Sequence, residues 1–252
     1  MSECWAAALE DCSGKITREH IVTKGIFTGD EVFVHGFEWC RDTPVKIGLA
    51  GFTAKILCAK HNSELSSADD GAIQTIENFR EFFRLADVRS KLGQRRWRKV
   101  RLTSNGYELE RWFLKTLTNV AFGREYPVFK PTYEWRPSQK LVEIAFGRKR
   151  FGPRAGLYLL GGQVGENVNV NEKFRIMTFT NQADELTGAR FSIFGFMFAL
   201  YLKEEGLNRD ISFFAANGQA TSATNVMYHP HAINYTTAPG QPLSHVLQID
   251  WR

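Results

Sequence analysis

Two short stretches carry residue types that can do chemistry together, Ile16-Thr17-Arg18-Glu19-His20 and Cys58-Ala59-Lys60-His61-Asn62. With Cys4 and Cys12 upstream, they sort by donor type into two neighbouring sets. Structural zinc is four-coordinate and prefers thiolate and imidazole, which is what Cys4, Cys12, Cys58 and His61 supply. Glu19 and Asn62 offer hard oxygen donors suited to Mg2+ or Mn2+. His20 stands beside them with an imidazole that can accept a proton near neutral pH. The two sets together suit one structural ion and one catalytic cation with a base beside it.

Spacing supports the zinc set unevenly. Cys58-x-x-His61 puts two ligands on one turn leading into a helix. Seven residues separate Cys4 from Cys12, wider than the usual two to four, and the competing reading makes them small apolar core residues. Cys40 follows Phe37-Glu38-Trp39, which reads as a strand, and is expected to pack. Asp69 has two readings, a carboxylate orienting His61 or His20, or a plain helix-start residue.

At 252 residues the chain is long enough for one large domain or two modest ones. A net charge of +5 and a pI near 9.0 lean toward an anionic partner, although placement of the charge says more than its total. The start of the chain has no basic segment followed by an apolar run, so no secretory signal is expected. The longest apolar run, Phe191 to Leu202, is shorter than the roughly 18 residues that span a bilayer. A reduced, cytoplasmic setting is therefore expected, where clustered Cys and His bind metal more often than they crosslink.

The elements that must position these residues follow from periodicity. Ile16 to Val22 and Thr53 to Leu57 read as short strands. Val32 to Val34 and Phe37 to Trp39 flank His35-Gly36 like a small hairpin. Leu65, Ala68, Ala72, Ile73, Ile76, Phe79 and Phe83 recur at helical spacing, with a restart near Ser66-Ser67. Tyr107 to Phe122 is an amphipathic helix with Leu109, Trp112, Phe113, Thr116, Leu117 and Val120 on its apolar side. Pro127, Pro131 and Pro137 mark an irregular crossing. Strands are expected beyond it at Leu141–Phe146, Leu157–Leu160, Phe174–Phe179, Phe191–Leu202, Ile211–Phe214 and Val246–Trp251.

The run Thr17-Arg18-Glu19-His20-Ile21, together with Leu57-Cys58-Ala59-Lys60-His61-Asn62-Ser63-Glu64-Leu65-Ser66, resembles the HNH endonuclease superfamily, and within it the endonuclease VII type. The resemblance covers about residues 4 to 70 and implies a ββα-metal fold. It implies that Glu19 and Asn62 hold the catalytic Mg2+ or Mn2+, that His20 is the general base, and that Cys4, Cys12, Cys58 and His61 hold a structural zinc. Such a site activates a water by proton transfer to imidazole, and its cation stabilises charge on the scissile phosphate and the departing 3′ oxygen. The sequence departs from the family pattern in three places. Glu19 stands where Asp is usual, the middle Asn expected near Thr53 is missing, and His61 replaces a Cys. A lone HNH unit beside an unfamiliar β-rich partner also resembles bacterial anti-phage effectors, among them the HNH nickase component of Zorya-type systems. That likeness implies nicking of one strand and partner proteins of a defence system.

The uninterrupted basic run from Arg89 to Arg101 is the best phosphate-contacting surface, with Arg95, Arg96, Trp97, Arg98, Lys99 and Arg101 as the expected DNA contacts. The competing reading is a solvated face with Trp97 buried. Arg148-Lys149-Arg150 and Arg154 form a second, smaller cluster. Gly161-Gly162-Gln163-Val164-Gly165 lacks the Lys-Ser/Thr of a P-loop and reads as a turn, and His229-Pro230-His231 reads as a loop. The expected architecture is α+β: a zinc-containing ββα-metal unit over 1–75, a helical and basic segment over 76–130, and a β-rich accessory domain over 131–252. The expected function is an HNH-type nicking endonuclease acting on double-stranded DNA, without membrane association. The alternative is a non-catalytic, zinc-stabilised nucleic-acid-binding protein.

Overall fold

The computed structural model of the chain describes residues 4–92, 100–123, 125–128, 135–160, 173–194, 196–204, 226–227, 233–236 and 246–251. Its centre is the helix α3 (Gly106–Phe122), which enters directly from strand β5 (Arg101–Asn105). The Asn105 side chain accepts hydrogen bonds from the backbone N–H groups of Tyr107 and Glu108 at 2.9 and 3.3 Å, satisfying donors that a helix start leaves open. All six residues of the expected apolar face are buried. Glu110, Lys115 and Asn119 are buried as well, which amphipathic periodicity assigns to solvent.

Before α3 come β1 (Ile16–His20), β2 (Glu31–His35), β3 (Val45–Gly48), β4 (Thr53–Cys58), α1 (Ala59–Glu64) and the long α2 (Ser66–Leu92). After it come α4 (Gln139–Ala145), β6 (Gly156–Leu160), β7 (Lys173–Thr180), β8 (Leu186–Ile193), β9 (Phe196–Tyr201), β10 (Val226–Met227), β11 (Ile233–Thr236) and β12 (Val246–Asp250). Among the described residues the strands form three sheets. β1 pairs antiparallel with β4, with a register shift between Thr17 and Arg18. A seven-stranded sheet runs β10-β6-β9-β8-β7-β2-β3, and a three-stranded one runs β11-β12-β5. The architecture is thus mixed α+β. Strands from the first expected segment and the last share the large sheet through the parallel β2–β7 pair. β5, from the middle segment, pairs parallel with β12.

Helices α2 and α3 cover the buried face of the large sheet with aromatic contacts. Phe113 of α3 meets Phe191 and Phe198, each with ring centroids 4.8 Å apart, and Phe79 of α2 stacks on Phe196 at 4.1 Å. Gly36 ends β2 at φ +94°, and a Cβ there would meet the Ile176 carbonyl oxygen of β7 at 1.8 Å. Only glycine allows that close approach of two backbones.

Several expected elements are corrected. Leu141–Phe146 lies in α4 rather than a strand, started by Ser138, whose side chain accepts from Leu141 N–H at 3.4 Å. A short apolar run fits either element, and the cap decides for helix. Phe191–Leu202 is not one strand: β8 ends at Ile193, Phe194 takes a left-handed φ of 52°, and β9 returns antiparallel. Phe37-Glu38-Trp39 gives way to a 3-10 turn over Glu38–Cys40, and β2 pairs with β3 instead. Cys40 is buried there. Ile211–Phe214, the glycine-rich 161–165 and His229-Pro230-His231 lie outside the described residues, as do Arg95, Arg96, Trp97, Arg98 and Lys99. No described helix is long and apolar enough to cross a membrane.

Two outcomes test this core. Phe113→Ala is expected to destabilise the protein by about 3–5 kcal/mol, the range for removing a buried aromatic, measured by urea unfolding. Glu110, which accepts from Leu157 N–H at 2.8 Å, has its pKa pushed up to about 8, chiefly by burial. Its folded-state pKa exceeds the unfolded one, so its contribution to stability is fully present below about 4.5 and is lost as pH rises toward 8. The stability of Glu110→Gln should therefore gain on that of the parent as pH rises from 5 to 8, and then level off. A difference independent of pH would contradict the buried, protonated carboxyl.

Candidate metal centre and the adjoining acid–base site

Cys58 is the last residue of β4 and the residue before the first turn of α1, and His61 lies within that turn, so the strand-to-helix junction presents both side chains together. The N-terminal segment brings the other two. Trp5 N–H donates to the Ile56 carbonyl at 3.0 Å, and its indole Nε1 donates to Asn119 Oδ1 of α3 at 3.1 Å. Backbone bonds from Ala59 and Lys60 to the carbonyls of Lys15 and Ser13 lay the loop containing Cys12 against α1. His61 Nδ1 consequently faces three sulfurs, Cys4 Sγ at 3.3 Å, Cys58 Sγ at 3.3 Å and Cys12 Sγ at 3.6 Å. All four ligand atoms lie within 4.8 Å of one another. A tetrahedral ion with Zn–S and Zn–N bonds of about 2.3 and 2.0 Å needs S···N separations of roughly 3.5 Å. The cluster fits a metal such as zinc.

Ionisation of its thiols would need a compensating cation. Burial pushes the Cys4 thiol up to about 12 and raises that of Cys12. Burial acts upward on Cys58 too, but backbone hydrogen bonds from His61 and Ser13 and the neighbouring thiols bring its net shift down. Three crowded thiols do not ionise together in an apolar site unless a cation compensates them. Cys4, Cys58 and His61 are buried and Cys12 is exposed, so the cluster meets solvent at Cys12.

Sequence reasoning missed Asp11. His61 Nε2 donates to Asp11 Oδ1 at 2.7 Å, which fixes Nδ1 as the nitrogen available to the cluster. The other oxygen, Asp11 Oδ2, accepts from Lys60 Nζ at 2.6 Å and Arg148 Nη2 at 3.2 Å. Lys60, then His61 and Arg148, hold the Asp11 carboxyl well below the usual carboxylate range. An acidic residue directly before a candidate cysteine ligand was the available signal. Asp69 does not orient His61.

The second set assembles around α3. Glu19 is buried on β1 and its Oε1 lies 2.5 Å from Lys115 Nζ. Lys115 also donates to both oxygens of Asp69 at 2.7 Å. Asp69 accepts from Thr23 Oγ1 at 2.6 Å, and Thr23 in turn accepts from Trp112 Nε1 at 2.8 Å. Asn62 donates to Thr17 Oγ1 at 3.0 Å and to the Arg18 carbonyl at 3.4 Å, and its amide is close enough to Glu19 to act on that carboxyl. The Glu19 carboxyl is raised, first by burial, with Lys115 opposing. His20 is half-buried, and its pKa is lowered by burial, then by Lys115 and Lys24, which favours neutral imidazole. Its carbonyl accepts from Asn119 Nδ2 at 3.1 Å. The structure therefore brings Glu19 and Asn62 together. It adds Lys115, which no motif suggested, in the position a small cation at Glu19 would take.

The expected nucleic-acid contacts fare differently. Arg101 is an exposed residue of β5, and the rest of that group lies outside the described residues. The smaller cluster is engaged within the chain: Arg148 with Asp11, Lys149 with Glu143, Arg150 with the Tyr107 hydroxyl and ring, and Arg154 with Glu204.

Protein purified without chelator is expected to carry about one zinc per chain, and Asp11→Asn to weaken metal affinity by about 10- to 100-fold, the usual effect of removing a carboxylate behind a histidine ligand. Competition with a chromophoric chelator measures both. Affinity should fall as pH drops from 8 toward 6, because protons compete for the thiols and the imidazole. A metal content near zero would exclude the centre.

No family model, curated protein or solved structure matches the chain.

Proposed function

We propose that the chain is a metal-dependent DNA endonuclease of the HNH kind, held together by a structural zinc. One observation carries this reading. An antiparallel β1–β4 pair runs straight into α1, with Glu19 and His20 on the first strand and Asn62 on the helix. The Cys58–His61 turn anchors that junction. Strand, strand and helix present an acid, an imidazole and an amide from one small ribbon.

In this reading Glu19 and Asn62 hold Mg2+ or Mn2+, which when bound would stabilise negative charge on the scissile phosphate. The donor set is sparse, because Glu19 Oε1 already bonds Lys115. Asp69 binds the same ammonium with both oxygens and can retain it when Glu19 turns to a cation. His20, kept neutral by its surroundings, takes the proton from the attacking water. Asn119 holds the backbone of His20 while its own carbonyl oxygen accepts from Trp5, so the strand end and the metal-centre segment share one anchor.

The Glu19–Lys115 pair favours a second reading. There Glu19 only neutralises a buried ammonium, and the protein binds nucleic acid without cutting it.

Incubation with supercoiled plasmid and Mg2+ or Mn2+ separates the two. The parent protein is expected to convert plasmid to open circles, and His20→Ala to lose at least about 100-fold in rate, the scale of a general base. The rate should stay level below the ordinary imidazole pKa of 6.5 and fall only as His20 protonates at its lowered value. Equal conversion by both proteins excludes His20 as the base. No conversion together with a salt-sensitive gel shift selects the second reading.

A further inference from the structure

The outer face of the β1–β4 ribbon carries a charge pattern that the chemistry above leaves unused. In the antiparallel register Arg18 stands opposite Lys55 and His20 opposite Thr53. Alternate residues of a strand share a face, so Arg18, His20, Thr53 and Lys55 lie on one side of the ribbon. Glu19 and Ala54 lie on the other, which is buried, and His20, at the end of β1, also feels Lys115 and Asp69 from the Glu19 side. Arg18 and Lys55 are both exposed. Like charges directly opposite one another in an antiparallel pair are destabilising. Nearby lysines are neutralised, Lys24 by Asp30 and Lys60 by Asp11 and Glu64. Among the described residues Arg18 and Lys55 have no ion-pair partner. Arg18 is held in place by donating from Nη1 to Thr53 Oγ1 at 3.3 Å.

We propose that Arg18 and Lys55 clamp the phosphate backbone of duplex DNA on the ribbon face that also presents His20. The chemistry of the two side chains is suited to it. A guanidinium binds a phosphate through a planar fork of donors, and an ammonium adds a compact point charge. Arg18 and Lys55 are the exposed pair of this face, standing across the ribbon from each other, which suits an extended polyanion, whereas small anions are held in concave sites. The inference rests on the reading of His20 as the place of chemistry, because the clamp matters to cutting only if the gripped backbone runs past that imidazole. Phosphate contacts fix position and register without reading sequence, so the clamp supplies affinity common to all duplexes.

Anisotropy of a fluorescent duplex in the presence of EDTA, across a salt series, tests the clamp apart from cleavage. Arg18→Gln/Lys55→Gln is expected to lower the slope of log affinity against log salt by about 1.8, at roughly 0.9 per lost phosphate contact. The loss should be equal on two unrelated duplex sequences, and Lys46→Gln, which removes a lysine already paired with Glu31, should leave the slope unchanged. The double variant should melt within a few degrees of the parent, the lost Arg18–Thr53 hydrogen bond being offset by the relieved repulsion, which separates lost contacts from lost fold. An unchanged slope in the double variant overturns the clamp, and so does a parent protein that does not bind duplex DNA. Plasmid nicking by the parent with unchanged affinity in the double variant removes the clamp and keeps the nuclease. Lost affinity in the variant of a parent that nicks nothing keeps the clamp and removes the nuclease.

Discussion

A buried ammonium sets the terms for this fold. Lys115 projects from the middle of α3 and is about 1% exposed. Removing an ammonium from water costs several kcal/mol unless charged partners surround it. Its two carboxylates come from different elements, Glu19 from β1 and Asp69 from the first turn of α2. One charge thus fixes the positions of a strand and two helices relative to one another. Losing Asp69, which binds the ammonium with both oxygens, would leave a poorly compensated ion in the interior, so the position of α2 against α3 rests on charge as well as on apolar packing.

The metal centre depends on the same frame. Asn119, one helical turn beyond Lys115, joins Trp5 of the cysteine-bearing segment to the backbone of His20. His61 and Asn62 are neighbours in sequence yet serve opposite sides, the imidazole facing three sulfurs and the amide facing Thr17 and Glu19. A shift of α1 cannot move one set without moving the other. His61 itself is held between the thiols and Asp11, whose remaining oxygen is tied to Lys60 and Arg148. The orientation of the ligand is therefore controlled from α1 itself and from the segment after α4.

What the sequence made legible was local. Cys58-x-x-His61, the strand before it, the restart of helix at Ser66 and the apolar stripe of α3 all depend on spacings within a few residues, and all appear where expected. The convergence of Cys4 and Cys12 on them was legible from ligand chemistry rather than spacing. Lys115 and Glu110 were not legible, because a charged residue on an amphipathic helix is ordinarily solvated and only tertiary contacts reverse that. Strand partners separated by more than a hundred residues, such as β2 with β7 and β5 with β12, leave no trace in hydrophobic pattern. The helix at Leu141 is not legible in its apolar run, which suits a strand equally well, and only the capping serine distinguishes the two.

Those distant pairings have a consequence for how the chain is made. Val34 of β2 waits for Phe174 before its outer edge is filled, and Leu102 of β5 waits for Leu247. Parallel pairings of this separation form late, because closing the intervening loop comes before any contact rewards it. On the ribosome, the cysteine cluster and the β1–β4 ribbon can close early while two strand edges still lack their partners. A metal bound at that stage would fasten the first-made part of the protein during the interval in which its open edges are most prone to pair with the wrong chain.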